Sequence, residues 1–308
     1  MSRTFEAALT RAPVFFEPVP PSLRTRADRI DAYFEELSAR LKMIEPLDAI
    51  NVPELIDENH DGRPYYRTTD PRQIGRQLAE RVQRPVVVNK VVAHLPSEAA
   101  LEAWARETVA GGILHAVLVG GSSRYIPYPG PPVIEADRAC AAILREHGGH
   151  VGNIAIPQRQ GEAHRMLAKT RAGASFFTTQ ILFDSESLRR TLREYDALCQ
   201  KAGVPPAAVL LSLAPLADET DAEFVRWLGA DIPEGAERWI LNGDENLAGD
   251  RAIEHARRVW TDTRAGADAD GLSLALGVNV EQLTQRHLGV ALRMLSELAV
   301  LARASSAG

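Results

Sequence analysis

Short apolar runs alternate with amphipathic stretches along the chain. Runs rich in Val, Ile, Leu and Phe predict eight strands, at residues 14–17, 49–52, 85–92, 114–119, 151–156, 175–180, 207–213 and 271–276. Apolar residues at helical spacing predict helices at 24–42, 71–82, 97–110, 135–147, 161–171, 185–202, 218–228 and 280–304. Continuous apolar strands that alternate with helices are typical of a parallel sheet covered on both faces.

The number of strand–helix units predicts the architecture. Eight units in 308 residues favour an α/β fold of the (β/α)8 barrel type, with residues 1–308 forming one catalytic domain. An open doubly wound sheet is the alternative, but no GxGxxG turn follows the first strand. The segment 231–265 is longer than an ordinary connection, which predicts one extra helix in the seventh unit.

Composition and charge exclude several classes of protein. The net charge of −6 offers no basic surface for nucleic acid or for an anionic membrane. Neither a signal-peptide pattern nor an apolar run of membrane-spanning length is found, so a cytoplasmic protein is expected. Cys140 and Cys199 lie in predicted helices without CxxC spacing, which predicts buried apolar roles and no metal site.

Barrel enzymes build their active sites at the carboxyl ends of the strands. Two long loops follow strands there, at residues 51–70 and 120–132, and they are either parts of a site or surface decoration. Candidate site residues, all polar except Gly120, end or follow several of the strands: Glu17, Asn51, His94, Gly120, Ser122, Gln158, Arg159, Gln180 and Asn279. In a barrel these residues would meet at one mouth.

Glu17 is the strongest candidate for chemistry. It lies between Phe15-Phe16 and a stiff Pro-Val-Pro-Pro run, an apolar setting that would raise the pKa of its carboxyl. A carboxyl that stays protonated near neutral pH can act as a general acid. The alternative is a surface carboxylate at the end of a strand, paired with a nearby arginine.

Two sequence motifs resemble the methylenetetrahydrofolate reductase family. VFFEPVPPS at 14–22 is similar to the strand-one signature of that family, and KTRAGASFFTTQILFD at 169–184 is similar to its Lys-x-x-Ala-Gly-Ala…Thr-Gln-x-x-Phe-Asp segment. VVAHLPS and HAVLVGG match the family at strands three and four, so the agreement runs over residues 14–276. The resemblance implies reduction of 5,10-methylenetetrahydrofolate to 5-methyltetrahydrofolate, a small-molecule folate substrate.

The resemblance also implies roles for individual residues. Glu17 matches the catalytic acid of the family, and Gln180 matches the glutamine that binds the pterin. Asn51 is a second candidate pterin contact. Glu54 and Glu58, in the loop after strand two, are acids that could replace the aspartate that flavoprotein members of the family carry after strand four. On the cofactor side, the candidates are His94, Gly120, Ser122, Arg159, Glu162, Arg165 and Lys169, with Lys169 matching a lysine near the cofactor phosphate.

Departures from the family bear on the cofactor. Flavoprotein members carry Arg-Gly-Asp after strand four, where this chain has Gly120-Gly121-Ser122, and the stacking aromatic after strand seven would fall near Asp218-Glu219. The chain therefore resembles actinobacterial members that work without FAD and pass hydride directly from NADH. NADPH in place of NADH, an FAD-dependent mechanism, a folate-dependent methyltransferase and a non-catalytic pterin-binding protein stay open, as does the oligomeric state.

Overall fold

A closed barrel of parallel strands is the centre of the protein, whose computed structural model describes residues 4–59, 61–123, 125–244 and 247–304. The strands in chain order are β1 (Val14–Glu17), β2 (Ala49–Val52), β3 (Ile56–Glu58), β4 (Pro64–Tyr66), β5 (Val86–Val91), β6 (His115–Val119), β7 (His150–Ala155), β8 (Ala174–Thr179), β9 (Ala208–Leu213) and β10 (Leu276–Glu281). Strands β3 and β4 pair as an antiparallel hairpin. The other eight close in the order β1, β10, β9, β8, β7, β6, β5, β2.

Helices surround this barrel. They are α1 (Phe5–Leu9), α2 (Ala27–Leu41), α3 (Pro71–Val82), α4 (Glu98–Ala110), α5 (Val133–Arg145), α6 (Glu162–Ala172), α7 (Glu186–Ala202), α8 (Glu219–Trp227), α9 (Glu234–Leu241), α10 (Ala248–Ala269) and α11 (Leu288–Ala304). The larger apolar core lies between these helices and the outer faces of the strands. Within the described ranges, no helix has the length and apolar character needed to cross a membrane.

The (β/α)8 prediction is confirmed, and seven predicted strands agree with the structure to within one residue at each end. The eighth prediction, at 271–276, is wrong, because the strand is Leu276–Glu281. Asn279 and Glu281 point into the barrel mouth, and these polar residues interrupt the apolar run that the prediction followed. The last helix accordingly begins at Leu288 rather than at residue 280.

Two long connections between barrel strands contain secondary structure of their own. Residues 231–265, predicted to add one helix, contain α9 and most of the 22-residue α10, so three helices separate β9 from β10. Residues 51–70, predicted as a loop, contain the β3–β4 hairpin. This hairpin extends the barrel wall beyond β2 and stands beside the mouth.

The lower half of the barrel interior is apolar and closed. Phe15 and Phe176 meet edge to face at 5.8 Å between ring centroids, and both are fully buried. Phe5 on α1 stacks on His115 at 3.7 Å and closes the amino-terminal end of the barrel. Gly152 makes room for Phe176, because a Cβ at this position would overlap the Phe176 ring. The barrel interior is therefore filled with side chains at its amino-terminal end.

Candidate active site

Above the aromatic layer, the barrel interior becomes polar. Side chains alternate between the two faces of a strand, so Glu17 follows Phe15 into the interior, and Asn51 follows Ala49 in the same way. Asn279 and Glu281 enter from β10, whose register pairs Phe15 with Asn279 and Glu17 with Glu281. The carboxyl ends of neighbouring strands therefore bring two carboxyl groups and two amides into one layer.

The Glu17 carboxyl is held by two amide donors. Its Oε2 accepts a hydrogen bond from Asn51 Nδ2 at 2.6 Å and another from Asn279 Nδ2 at 3.0 Å. Burial raises the pKa of Glu17 to about 7, because desolvation of the charged form outweighs the lowering effect of the two amides. The direction agrees with the prediction made from its apolar neighbours. A pKa near 7 leaves part of this carboxyl protonated near neutral pH, as a proton donor requires.

Glu281 is a second carboxyl that the sequence prediction missed. Its Oε1 lies 3.3 Å from the same Asn279 Nδ2 that donates to Glu17. Burial, and then the nearby charge of Glu17, raise the pKa of Glu281 well above its usual value. The alternation at 278–281, with Val278 and Val280 facing outward, was the available signal, but the predicted strand ended too early to include it.

A concave pocket opens over this layer. Glu17, Glu281 and Gln180 contribute polar groups, and apolar walls come from Pro18, Val91 and Ile154 among others. A mostly apolar cleft with a few convergent polar groups is the usual form of a small-molecule site. Of the predicted site residues, Glu17, Glu54 and Gln180 line the pocket, whereas Asn51 is fully buried beneath it.

Gln180 and Glu54 already have partners within the protein. Gln180 Nε2 donates to the Leu228 carbonyl at 2.9 Å, and its Oε1 accepts from the Ile181 amide at 3.1 Å. The Glu54 oxygens accept from Lys90 Nζ and from the Val91 amide, each at 2.7 Å, and the Glu54 side chain is only 6% exposed. A ligand that uses Gln180 must displace weak neutral bonds, whereas one that uses Glu54 must disrupt a buried ion pair.

None of the seven predicted cofactor residues lines this pocket. Glu162 is buried, accepts from the Ile156 amide at 3.1 Å and binds Arg165 Nε at 2.8 Å. Lys169 Nζ donates to the Ile154 carbonyl at 2.9 Å, and burial lowers the pKa of Lys169. These contacts fasten α6 to β7. Arg159 is exposed beside them.

Gly120 follows Val119, the last residue of β6, which does line the pocket. A Cβ at Gly120 would lie 3.1 Å from Val133, so the helix that follows passes close to the backbone here. Gly120 therefore borders the same side of the mouth as α6 and β7. Of the predicted cofactor residues, Gly120, Arg159, Glu162, Arg165 and Lys169 therefore lie around the ends of β6 and β7, which are neighbours in the barrel.

His94 and Ser122 take part in a cluster that joins the two long loops. Glu58 on β3 accepts from Ser122 Oγ at 2.6 Å and from Tyr128 OH at 2.7 Å, and it lies 2.8 Å from His94 Nε2. Burial alone would raise the pKa of Glu58, but these hydrogen bonds outweigh it and lower the pKa. The β3–β4 hairpin is thus tied to the loop after β6, and Glu58 serves as an acceptor.

An aromatic side chain also lines the pocket wall that follows β9, the seventh strand of the barrel along the chain. The sequence placed the expected aromatic near 218–219, where Asp218 instead caps α8 by accepting from the Asp221 amide at 3.0 Å. Phe224, one helical turn further on, lines the pocket and stacks on Trp227 at 5.4 Å. Phe224 therefore brings an aromatic side chain to the pocket from a position that the comparison of motifs did not identify. The start of a predicted helix did not reveal which of its faces meets the barrel.

Asp218, Asp221 and His287 form a cluster with metal-ligand chemistry, their ligand atoms lying within 4.8 Å of one another. Each already has a protein partner. Asp221 Oδ2 accepts from the Ala217 amide at 2.9 Å and lies 2.8 Å from His287 Nδ1, while Asp218 pairs with Arg286 at 2.7 Å. The cluster joins α8 to the turn before α11, and we assign no metal to it.

Comparison with known proteins places the fold. No protein-family model and no curated protein matches this sequence. A solved structure from Clostridium thermocellum, described as an uncharacterized protein that binds two copies of 5-methyl-5,6,7,8-tetrahydrofolic acid, superposes with a TM-score of 0.78 at 15% identity, covering 95% of this chain and 97% of that one. A putative lyase/mutase from Burkholderia cenocepacia gives a TM-score of 0.47 at 14% identity, covering 98% and 82%. The chain shares the α/β barrel fold of the Clostridium protein over nearly the full length of both.

Proposed function

We propose that the protein reduces 5,10-methylenetetrahydrofolate to 5-methyltetrahydrofolate, with NADH or NADPH as the hydride donor. The observation that carries this proposal is Glu17, a carboxyl with a pKa of about 7 in the floor of a pocket that Gln180 also lines. Opening of the bridged folate ring needs a proton donor at neutral pH, and such a carboxyl is suited to supply one.

The shared fold supports the choice of substrate. The Clostridium barrel is described as binding 5-methyltetrahydrofolate, which would be the product of the proposed reaction. A common fold does not by itself assign an activity. The motifs around Glu17 and Gln180, which resemble methylenetetrahydrofolate reductases, add the residues that bear on this chemistry.

The proposed reaction consumes one hydride and one proton. Glu17 protonates N10 of the folate while the bond from N10 to the bridging carbon breaks, with the bonding electrons passing to N10. The carbon becomes an iminium on N5, accepts hydride from C4 of the nicotinamide and becomes the methyl group. Solvent then returns a proton to Glu17. The protein contributes positioning of the two substrates and a carboxyl of suitable pKa.

Binding roles follow the two sides of the mouth. Gln180 would exchange its bond to the Leu228 carbonyl for bonds to the pterin, with Asn51 holding Glu17 from below. The nicotinamide cofactor would lie along the rim at β6 and β7, where Arg159 is exposed and the Arg165 side chain is 46% exposed. Guanidinium groups are suited to phosphates, and these two are the exposed cations on that rim among the predicted cofactor residues.

A flavin fits the matched positions poorly. Both oxygens of Glu162 and the ammonium of Lys169 are engaged within the protein, and the His94 side chain is 1% exposed beside Glu58. Glu162, Lys169 and His94 already have partners within the protein, which supports a reaction without a flavin. The reaction proposed here therefore passes hydride from the nicotinamide to the folate without a flavin between them.

The decisive assay mixes purified protein with NADH and 5,10-methylenetetrahydrofolate and adds no flavin. We expect oxidation of NADH and formation of an equal amount of 5-methyltetrahydrofolate. A parallel reaction with NADPH identifies the preferred donor. If neither nucleotide is oxidised while 5-methyltetrahydrofolate still binds, the reductase proposal is overturned, and a folate-dependent methyltransferase or a binding protein becomes the better interpretation.

The flavin question has its own measurement. We expect the protein, purified without added cofactor, to show no flavin absorbance in the visible range, and its activity to be unchanged when FAD is added. A yellow protein that loses activity when its flavin is removed would contradict direct hydride transfer while leaving the folate assignment in place.

Substitution of Gln180 tests the pterin site. For Gln180→Ala we expect KM for the folate to rise about two- to tenfold, the worth of one neutral hydrogen bond, with a smaller change in kcat. Steady-state kinetics with folate varied at saturating NADH measures this effect. The matched control is Gln158→Ala, an exposed glutamine after β7, for which KM should not change. Equal effects in both variants would remove Gln180 from the binding site.

A further inference from the structure

Glu281 is the one carboxyl in the polar layer that the proposed reaction leaves without a role. Its position is set by the backbone, since β1 and β10 pair Glu17 with Glu281, and the Gln282 amide donates to the Glu17 carbonyl at 2.8 Å. Both side chains line the same pocket and lie within hydrogen-bonding distance of one donor, Asn279 Nδ2. The barrel closure between its first and last strands thus builds a carboxyl pair.

Two carboxylates confined in this way cannot both ionise easily. Each charge opposes the other, and burial opposes both, so the pair gives up its protons in two separated steps that belong to the pair rather than to either residue. Asn279 Nδ2 lies 3.0 Å from Glu17 Oε2, 3.1 Å from Ser212 Oγ and 3.3 Å from Glu281 Oε1, so one amide group lies beside both carboxyls. After the first proton leaves, the remaining one can occupy either carboxyl.

Within the described residues, the side chains that hydrogen-bond to the pair are neutral. Ser212 on β9 and Asn51 on β2 are neutral, and the wall from α8 is apolar, through Phe224 and Leu228. The Tyr33 hydroxyl of α2 bonds to Gln282 Oε1 at 2.9 Å, and burial raises the pKa of Tyr33, so it stays neutral.

Glu54 is the remaining titratable group among the described residues that line this pocket, and it is tied to Lys90 and to the Val91 amide. Lys90 is committed to that pair. No cation is therefore in contact with the Glu17–Glu281 pair to stabilise its doubly ionised form among the contacts of the described residues.

We propose that Glu281 is the proton-sharing partner of Glu17 and keeps one exchangeable proton at the folate-facing carboxyls beyond the pH at which a lone Glu17 would lose its own. The proton passes between two carboxyl oxygens, so no bond other than O–H changes and no further reactant is needed. Glu281 acts through Glu17, as a positioning residue for the donated proton. Only the kinetic part of the test rests on the proposed function.

The first test is the pH dependence of turnover in Glu281→Gln, which removes the second ionisable group and keeps its shape. In the wild-type protein, turnover should fall at alkaline pH as the Glu17–Glu281 pair loses its last proton. In the variant the limb should move to lower pH by at least about one unit, the smallest coupling that makes two sites titrate as a pair. At acidic pH, where Glu17 is protonated in both proteins, the rates should approach each other.

Two further variants separate this role from a structural one. Glu281→Asp keeps a carboxyl and should restore the wild-type position of the alkaline limb. Glu223→Gln makes the same chemical change at an exposed position on α8 and should leave the pH profile unchanged. Superimposable profiles for wild type and Glu281→Gln would overturn the proposal.

Infrared titration reads the pair without any enzymatic activity. The carbonyl stretch of protonated carboxyl groups is followed from about pH 5 to about pH 9, a range above the ordinary pKa values of Asp and Glu. The difference spectrum, wild type minus Glu281→Gln, should contain a band of protonated carboxyl. This band should remain at pH values above those at which Glu17 titrates in the variant. Asp137, whose pKa burial raises to about 7, contributes equally to both proteins and cancels. If no such band exists, the pair does not share a proton, whatever reaction the protein catalyses.

Discussion

Replacement of Glu17 by Gln is expected to lower kcat by about two to four orders of magnitude, the usual contribution of a positioned general acid. The glutamine side chain has nearly the same shape, so its oxygen can still accept the hydrogen bonds from Asn51 and Asn279, although it carries no negative charge. The variant cannot deliver a proton to N10 at any pH. Turnover is measured with both substrates saturating, and folate binding is measured separately by calorimetry.

Binding and chemistry should separate in this variant. We expect the dissociation constants for folate and NADH to stay close to those of the wild type, because Glu17 donates its proton chiefly as the ring opens. Glu223→Gln again serves as the matched control and should keep full activity. Undiminished turnover in Glu17→Gln would remove the acid from the mechanism, and with it the reason for placing the reaction in this pocket.

Phe176→Ala is expected to have the largest effect on stability, a loss of about 3–5 kcal/mol in the free energy of unfolding. The Phe176 ring is fully buried inside the barrel and meets Phe15 and Phe5, each at 5.8 Å between centroids. Gly152 has no side chain to fill the space that the ring would leave. A cavity inside a closed sheet cannot collapse without bending the strands, so the cost should lie near the upper end.

Denaturant-induced unfolding at equilibrium measures this loss as a shift of the midpoint at constant slope. Tyr65→Ala is the control, because the Tyr65 side chain is 51% exposed on the β3–β4 hairpin and its removal should change stability by no more than about 0.5 kcal/mol. A loss below about 1 kcal/mol for Phe176→Ala would mean that the aromatic layer does not support the barrel.

The fold was predictable because burial on both faces makes barrel strands continuously apolar. Strands such as Val14–Glu17 and Ala208–Leu213 are mostly apolar for that reason, and their bounds were predicted closely. The prediction failed at β10, where Asn279 and Glu281 break the apolar run. Asn279 and Glu281 belong to the polar layer at the barrel mouth, so a continuous apolar run does not mark this strand.

Much of the site depended on contacts between residues distant in sequence. The β3–β4 hairpin forms within a predicted loop, and Glu58 meets Ser122 and Tyr128, which lie 64 and 70 residues away in the chain. Phe224 reaches the pocket because α8 turns that face toward the barrel. Sequence periodicity predicts that a helix has faces but not which neighbouring strand each face will meet.

The sequence by itself determined seven of the eight barrel strands, the position of Glu17 at the end of the first strand and the direction in which its apolar setting shifts the pKa. Each of these depends on residues within a few positions of one another. Only the tertiary structure decided that Glu17 stands opposite Glu281, because their meeting requires the first and last strands of the barrel to close against each other. It also decided that Glu162 and Lys169 fasten α6 to β7, since their partners become neighbours only when the strands are assembled.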